Sequence, residues 1–291
     1  MVKYIFERKS MKMRFITNEI VNGFKLYLYE EEKSGSTIEK YMRDINKFSK
    51  WLGGREADKS AVLDYKKELC VHYAPRSVNS VLSSLNALFV FAGWHELKVK
   101  TLKIQKQMFA DREKELTKPE YERLLTAAKC RNNQRLYHLI QTIGSTGIRI
   151  SELQYITCEA VNAGQAIINC KGKLRRIFIP KKLCAMLKLY TKNHGIKSGP
   201  VFISKNGKPL DRTNVWKMLK SLCKSADVPS EKVFPHNLRH LFARTFYSIQ
   251  KDIVRLADIL GHSSVNTTRI YTMETGEIHR RQIQELGLLQ C

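Results

Sequence analysis

No run of the chain approaches the roughly 18 consecutive apolar residues that would cross a bilayer. The N-terminus, MVKYIFERKSMKMRF, is basic but holds neither the apolar core nor the small-residue cleavage site of a secretory signal. These two absences predict a cytoplasmic protein. Paired cysteine spacing is missing too. The seven cysteines (Cys70, Cys130, Cys158, Cys170, Cys184, Cys223 and Cys291) are odd in number and contain no CxxC pair, which argues against a disulfide framework and against a zinc module. Internal repeats and low-complexity tracts are absent. Acid is scarce: 27 Asp and Glu stand against 51 Lys and Arg, a net charge of +24 over 291 residues. The excess is +8 over residues 1–110 and +16 over residues 111–291, so it is no basic tail on a neutral body. A surface basic along its whole length gains from releasing the counterions of a polyanion, which points to nucleic acid.

The length predicts about two domains. Residues 17–95 read as helices. A turn at residues 34–37 (SGST) ends in capping residues. After it Ile38, Tyr41, Ile45, Phe48 and Leu52 recur at helical spacing, while Lys40, Arg43, Lys47 and Lys50 mark the other face. One side of this helix suits a core and the other is either a phosphate-facing stripe or a solvated charged face. Further helices start near Asp58 and at Pro75, where Arg76 sits at a polar entry suited to a phosphate or base contact, or simply to a cap. Residues 97–114 are Lys-rich and lack a core face, as a linker would. Thr117, Pro119 and Glu120 then form a helix start with a capping box. The rest is mostly helical with one small sheet: Ala166–Asn169 and Arg176–Ile179 are β-prone, with a polar turn at residues 170–175 between them.

Three segments carry polar groups suited to phosphate. In STGIRISEL (145–153), Gly147 can end one helix and Ser151 begin another, which places Arg149 at a helix N-terminus where anions are favoured. In PHNLRH (235–240), Pro235 opens a helix, and His236, Arg239 and His240 share one face at i, i+3 and i+4. Two imidazoles and a guanidinium there can hold phosphate oxygens and move protons. Metal ligation would use the same spacing, but the arginine repels a cation and no nearby carboxylate completes a ligand set. In DILGH (258–262) a helix ends on a glycine cap, and Tyr271 follows His262 by nine residues. Taken alone, Tyr271 is a packing residue.

Taken in order, TGIRISEL, a lysine in a hairpin turn, HNLRHLFA and LGHSSVNTTRIYT resemble the boxes of the tyrosine recombinase (phage integrase) family. The likeness covers the C-terminal half closely and the helical N-terminal half more weakly, and the length is similar to that of the Xer type and of simple mobile-element integrases, without an additional arm-site-binding domain. The resemblance implies a mainly α fold with a small antiparallel sheet, built as a two-domain C-shaped DNA clamp. It also implies an N-terminal extension over 1–16, a helical, SAM-like core-binding domain over 17–100, a linker over 101–111 and a catalytic domain over 112–291. It further implies that Tyr271 attacks a DNA phosphate to form a 3′-phosphotyrosyl link, with Arg149, Arg239, His236 and His262 around the phosphorus, and that neither metal, ATP nor cofactor is needed. A hairpin lysine would protonate the leaving 5′-oxygen. The Lys-Gly pattern favours Lys171, and spacing leaves Lys173 open. Glu152 would orient a neighbouring side chain, or merely stabilise a helix N-terminus, and His240 would play a supporting role. Lys40, Arg43, Lys47, Lys50, Arg76, Lys173 and Arg175 are the expected DNA contacts. The expected partner is double-stranded DNA at specific paired sites, bound by a homotetramer linked through C-terminal tails whose apolar side is Ile278, Ile283, Leu286 and Leu288. Thr272 and Met273 depart from the family, where another histidine often follows the Tyr-Thr pair.

Three alternatives remain at this point. A catalytically silent DNA-binding protein on the same scaffold would explain the charge but not the full phosphate-handling set. A type IB topoisomerase would relax supercoils without sequence preference. A metal-dependent nuclease would be stopped by EDTA.

Overall fold

A computed structural model describes residues 14–104, 112–170, 173–262, 264–271 and 284–286, the side chains of Arg112, Cys170 and Lys173 excepted. The chain divides into two compact units, Met1–Lys106 and Gln107–Cys291.

The first unit is four helices: α1 (Asn18–Glu30), α2 (Gly35–Leu52), α3 (Lys59–His72) and α4 (Pro75–Phe91). Local chemistry sets their ends. The Thr17 and Asp58 side chains accept from the first-turn amides of Ile20 and Ala61, Gly53 closes α2 at φ +60°, and Pro75 opens α4 where no amide donor is needed. The apolar stripe of α2 behaves as its spacing predicts, since Ile45, Phe48 and Leu52 are buried against Phe24, Leu82, Leu85 and Phe89.

The opposite face of α2 is less uniform than the sequence suggested. Arg43, Lys47 and Lys50 are exposed and line a groove with Lys25, Met42 and Asn46. Lys40 instead turns inward. Its ammonium lies 2.9 Å from the Asp44 carboxylate, 2.9 Å from Ser84 Oγ and 2.6 Å from the Ser80 carbonyl. Asp44 is only 5% exposed, and a carboxylate at that depth requires a counter-charge. Lys40 is therefore committed to the interior of the unit rather than to a basic stripe.

The second unit contains α5 (Lys118–Cys130), α6 (Gln134–Thr146), α7 (Cys158–Ala163), the hairpin β1 (Gln165–Cys170) and β2 (Lys173–Phe178), then α8 (Lys181–Asn193), α9 (Arg212–Ala226), α10 (Pro235–Gln250), α11 (Ile253–Leu260) and α12 (Val265–Thr268), with a 3-10 turn ending at Tyr271. The capping box of α5 is present as expected: the Thr117 amide donates to Glu120 Oε2 at 2.7 Å, and the Glu120 amide donates back to Thr117 Oγ1 at 3.3 Å. Leu139, Ile143, Ile168, Leu187, Phe202 and Leu238 belong to the main core. A smaller cluster of Ala243, Leu256, Leu260 and Tyr271 packs with Phe242, Phe246 and Tyr247 at the junction of α10, α11 and α12.

Two local details differ from the sequence reading. The strands pair from Gln165↔Phe178 to Cys170↔Lys173, so the connection is two residues long rather than six, and Lys173 and Arg175 stand in β2. Ile150–Tyr155 is a 3-10 stretch rather than the start of an α-helix, with the Glu152 carboxylate folded back onto the Arg149 amide at 2.9 Å.

Candidate active site

The carbonyl groups at helix ends lack intrahelical partners and carry partial negative charge. Two such ends meet in the second unit. Gly147 closes α6 at φ +63°, and Leu260 and Gly261 close α11, the latter also at φ +63°. Gly147 has no alternative in this packing, because a β-carbon there would overlap the Phe242 ring.

Arginines from three other segments converge on these carbonyls. Arg239, one turn into α10, is 2% exposed. Its Nη1 donates to the Gly147 carbonyl at 2.6 Å and its Nη2 to the Leu260 carbonyl at 2.8 Å. Arg149 donates through Nη2 to the Gly261 carbonyl at 3.1 Å and through Nη1 to Glu152 Oε1 at 2.9 Å. Arg175 donates to Glu152 Oε2 at 2.6 Å and to the Leu260 carbonyl. Two of the three guanidiniums thus share one buried carboxylate, and all three donate to helix-end carbonyls. Such an excess of positive charge suits an anion with several oxygens.

The histidines and Tyr271 lie beside this cluster. His262 Nε2 is 3.1 Å from Arg239 Nη2, and its Nδ1 is 2.8 Å from Thr268 Oγ1. A guanidinium only donates, so Nε2 is the acceptor and the ring proton sits on Nδ1, facing the threonine. The Tyr271 ring is stacked on His262 with centroids 6.1 Å apart and meets His240 edge-on at 4.9 Å. His240 in turn meets His236 at 4.3 Å. Tyr271 is 5% exposed and packs on the Leu256 and Leu260 side of the small cluster.

The protonation states follow from burial and repulsion. Burial first, then Arg149, brings the Arg239 guanidinium down to about 10, with Tyr271 and Glu152 opposing. His262 falls to about 4 through burial and then Arg239, Arg149 and Arg175. His240 falls to about 4 through burial, then His236 and Arg239. His236, at the solvent rim, is lowered by desolvation and then by Arg239, Arg149 and Arg212. The rings of His240 and His262 are therefore neutral near pH 7 and able to accept a proton. Nε of Arg239 and Nε2 of His240 are buried without a hydrogen-bond partner among the described residues.

The structure thus gathers Arg149, Glu152, His236, Arg239, His240, His262 and Tyr271. Lys171 lies outside the described residues. Lys173 is placed only by its backbone in β2. Arg175 departs from the expectation of a DNA-facing cation. Strand alternation turns it inward in line with buried Ile177 and Ile179, while Leu174, Arg176 and Phe178 face outward. That period of two was readable in the sequence once the strand start was placed at Lys173. Thr268, fully buried and paired with His262, and the helix-end carbonyls carry no such signal. Arg76 is exposed at the second position of α4. Among the described residues no group of three or more His, Cys, Asp or Glu could hold a metal ion, and no helix is long and apolar enough to cross a membrane.

A helical unit followed by a mainly helical unit that carries this arginine-histidine-tyrosine constellation defines a tyrosine recombinase, an enzyme of site-specific DNA recombination. Comparison with known proteins agrees. The profile of the phage integrase family matches residues 114–277, and that of the phage integrase N-terminal SAM-like domain matches residues 21–96. The chain belongs to the phage integrase family. It is 31% identical over 290 residues to the tyrosine recombinase XerA of Pyrococcus furiosus, covering 96% of this chain and 98% of that one. It is 27% identical over 277 residues to the TnP I resolvase of Bacillus thuringiensis, covering 87% and 95%. Its fold resembles that of a lambda integrase dimer bound to a core site, with TM-score 0.71 at 18% identity over 89% of this chain and 96% of that one. It also resembles a Tn1549 transposon integrase in complex with a circular-intermediate DNA, with TM-score 0.69 at 18% identity over 94% and 100%.

Proposed function

We propose that this recombinase breaks and rejoins duplex DNA through Tyr271. The phenol oxygen bonds to phosphorus, the P–O5′ bond breaks, and the product is a 3′-phosphotyrosyl link with a free 5′-hydroxyl. The 5′-hydroxyl of a partner duplex then reverses the step on a new strand. The covalent link conserves the phosphodiester, so no ATP is consumed and no metal or cofactor takes part.

Each role follows from chemistry. Attack builds charge on the non-bridging oxygens, and fixed cations there lower the barrier. Arg149 and Arg239 supply them, always charged and able to bind two oxygens at once. His236 and His262 bond the same oxygens or take the phenol proton, with His240 in support behind Tyr271. Glu152 orients Arg149. A hairpin lysine, Lys171 in preference to Lys173, protonates the leaving oxygen. Exposed Arg43, Lys47, Lys50 and Arg76 contact the backbone of the duplex. The working assembly is a homotetramer on paired specific sites, joined through C-terminal tails, and it acts in the cytoplasm. Its reactions are the integration, excision, inversion or resolution of DNA.

The observation that carries this reading is the convergence of Arg149 and Arg239 on the adjoining Gly147, Leu260 and Gly261 carbonyls, with His262 bridging Arg239 to the Tyr271 ring. The test is to trap the protein on a nicked suicide duplex and map the modified peptide by mass. Attachment at Tyr271, unaffected by EDTA and abolished in Tyr271→Phe while DNA binding persists, is expected. Attachment elsewhere, or cleavage that EDTA stops, refutes the mechanism.

A further inference from the structure

We infer that Arg175 is a positioning residue that docks the β-hairpin onto the phosphate-binding arginines and so holds the hairpin's proton donor in register with the leaving oxygen. The inference rests on the proposed role of a hairpin lysine as general acid.

Arg175 is built into the site rather than displayed on it. Its side chain is 12% exposed. It is the one inward-facing charged residue between Leu174 and Ile179 on β2, and its neighbours on that face are core isoleucines. Its guanidinium spans two acceptors, each shared with one of the phosphate-binding arginines. Glu152 accepts from Arg175 through Oε2 at 2.6 Å and from Arg149 through Oε1 at 2.9 Å. The Leu260 carbonyl accepts from both Arg175 and Arg239. The side chain also lies against Gly261, where any β-carbon would overlap it. A glycine is thus required both for the left-handed turn and for the passage of this arginine.

The two phosphate-binding arginines keep other partners without it. Arg149 retains Glu152 Oε1 and the Gly261 carbonyl, and Arg239 retains the Gly147 carbonyl. What Arg175 adds is a link from strand β2 to that cluster. It lies two residues along the strand from Lys173, about 7 Å, and four residues in sequence from Lys171, which is outside the described residues. Fixing the strand at Arg175 therefore fixes where the turn departs, within reach of a lysine side chain.

A substrate with sulfur in place of the bridging 5′-oxygen isolates this role. Tyr271 attacks phosphorus, the P–S bond breaks, and the thiolate departs without a proton, because a thiol with a reference pKa near 8.5 is far more acidic than an alcohol. Covalent-complex formation is measured in single turnover, at saturating protein, on the oxygen and sulfur duplexes for the wild type, Arg175→Met and Arg175→Lys. General-acid catalysis contributes about 10²–10⁴-fold, so Arg175→Met should slow oxygen cleavage at least about 30-fold. On the sulfur duplex it should stay within about 3-fold of wild type, which is the mark of an interaction made only when the leaving group takes up a proton. DNA affinity should be unchanged. Arg175→Lys, which keeps the charge but reaches only one of the two acceptors, should fall between, and it supplies the same oxygen-to-sulfur ratio if the methionine variant does not fold. Equal slowing on both substrates, or no slowing on oxygen, overturns the inference. A wild-type protein that captures neither substrate sinks the cleavage mechanism itself, a distinguishable result.

Discussion

Replacing Arg239 with methionine should separate activity from stability. The guanidinium is 2% exposed, and burial with Arg149 repulsion brings it from 12.5 down to about 10. At about 1.4 kcal/mol per pKa unit, keeping that charge costs the folded chain on the order of 3 kcal/mol. Methionine removes this cost and fills a similar volume. In exchange, the Gly147 carbonyl and His262 Nε2 both lose their donor, which together costs roughly 2–6 kcal/mol, while the Leu260 carbonyl still accepts from Arg175. At the middle of that range the two effects nearly cancel, so the second unit should unfold within about 4 °C of wild type, the shift produced by roughly 1 kcal/mol at this size. Catalysis has no such offset. Loss of one fixed cation at the developing charge should slow covalent capture by at least about 10²-fold. The assays are scanning calorimetry and single-turnover trapping on a nicked duplex. A stability loss well beyond 3 kcal/mol would refute the reasoning that this charge is held at a cost, and unimpaired trapping would remove Arg239 from the mechanism.

Three further outcomes follow. His240 and His262 fall from 6.5 to about 4 on folding, so between those values the unfolded chain binds more protons than the folded one. Stability is then complete above pH 6.5 and declines as pH drops toward 4, by up to about 1.4 kcal/mol per pH unit for each histidine. Chemical denaturation across pH 4–7 checks this, and a flat profile contradicts it. On the first unit, changing Arg43, Lys47 and Lys50 together to Gln should lower the salt slope of DNA binding by about 0.9 per lost phosphate contact without changing stability. Lys40→Met should do the reverse, destabilising by about 3–5 kcal/mol because Asp44 is left buried and unpaired. Salt-dependent binding isotherms and urea melts distinguish the two, and equivalent behaviour of all four residues would contradict the structure.

The helices and most of the site were legible because their signals are local. The helix start at Asp58, the cap at Thr117, Pro75 and Pro235 at first turns, and Gly147 and Gly261 at ends all act within a few residues. The i, i+3, i+4 spacing of His236, Arg239 and His240 likewise fixes a shared face. What stayed hidden depends on distant partners. Lys40 reads as one member of a basic stripe, and only the proximity of α4, bringing Ser80 and Ser84 alongside Asp44, turns it inward. Arg175 reads as a turn cation because a polar stretch beside glycine suggests a longer connection than the strands leave. Its engagement with Glu152 and Leu260 joins positions 23 and 85 residues apart, beyond the range of any periodicity. The expected apolar side of the tail falls largely outside the described residues, since Ile278, Ile283 and Leu288 lie there.

Much of what the arginines grip is peptide carbonyl, at residues 147, 260 and 261. A point mutation can swap the side chain at any of these places but cannot delete the oxygen that the backbone presents. The electronegative half of the cradle is therefore protected from ordinary coding change, and its weak point is the course of the chain: a substitution that bends either helix terminus would displace several guanidiniums together. Glu152 is the exception, a carboxylate that a single base change can remove while every main-chain acceptor stays in place.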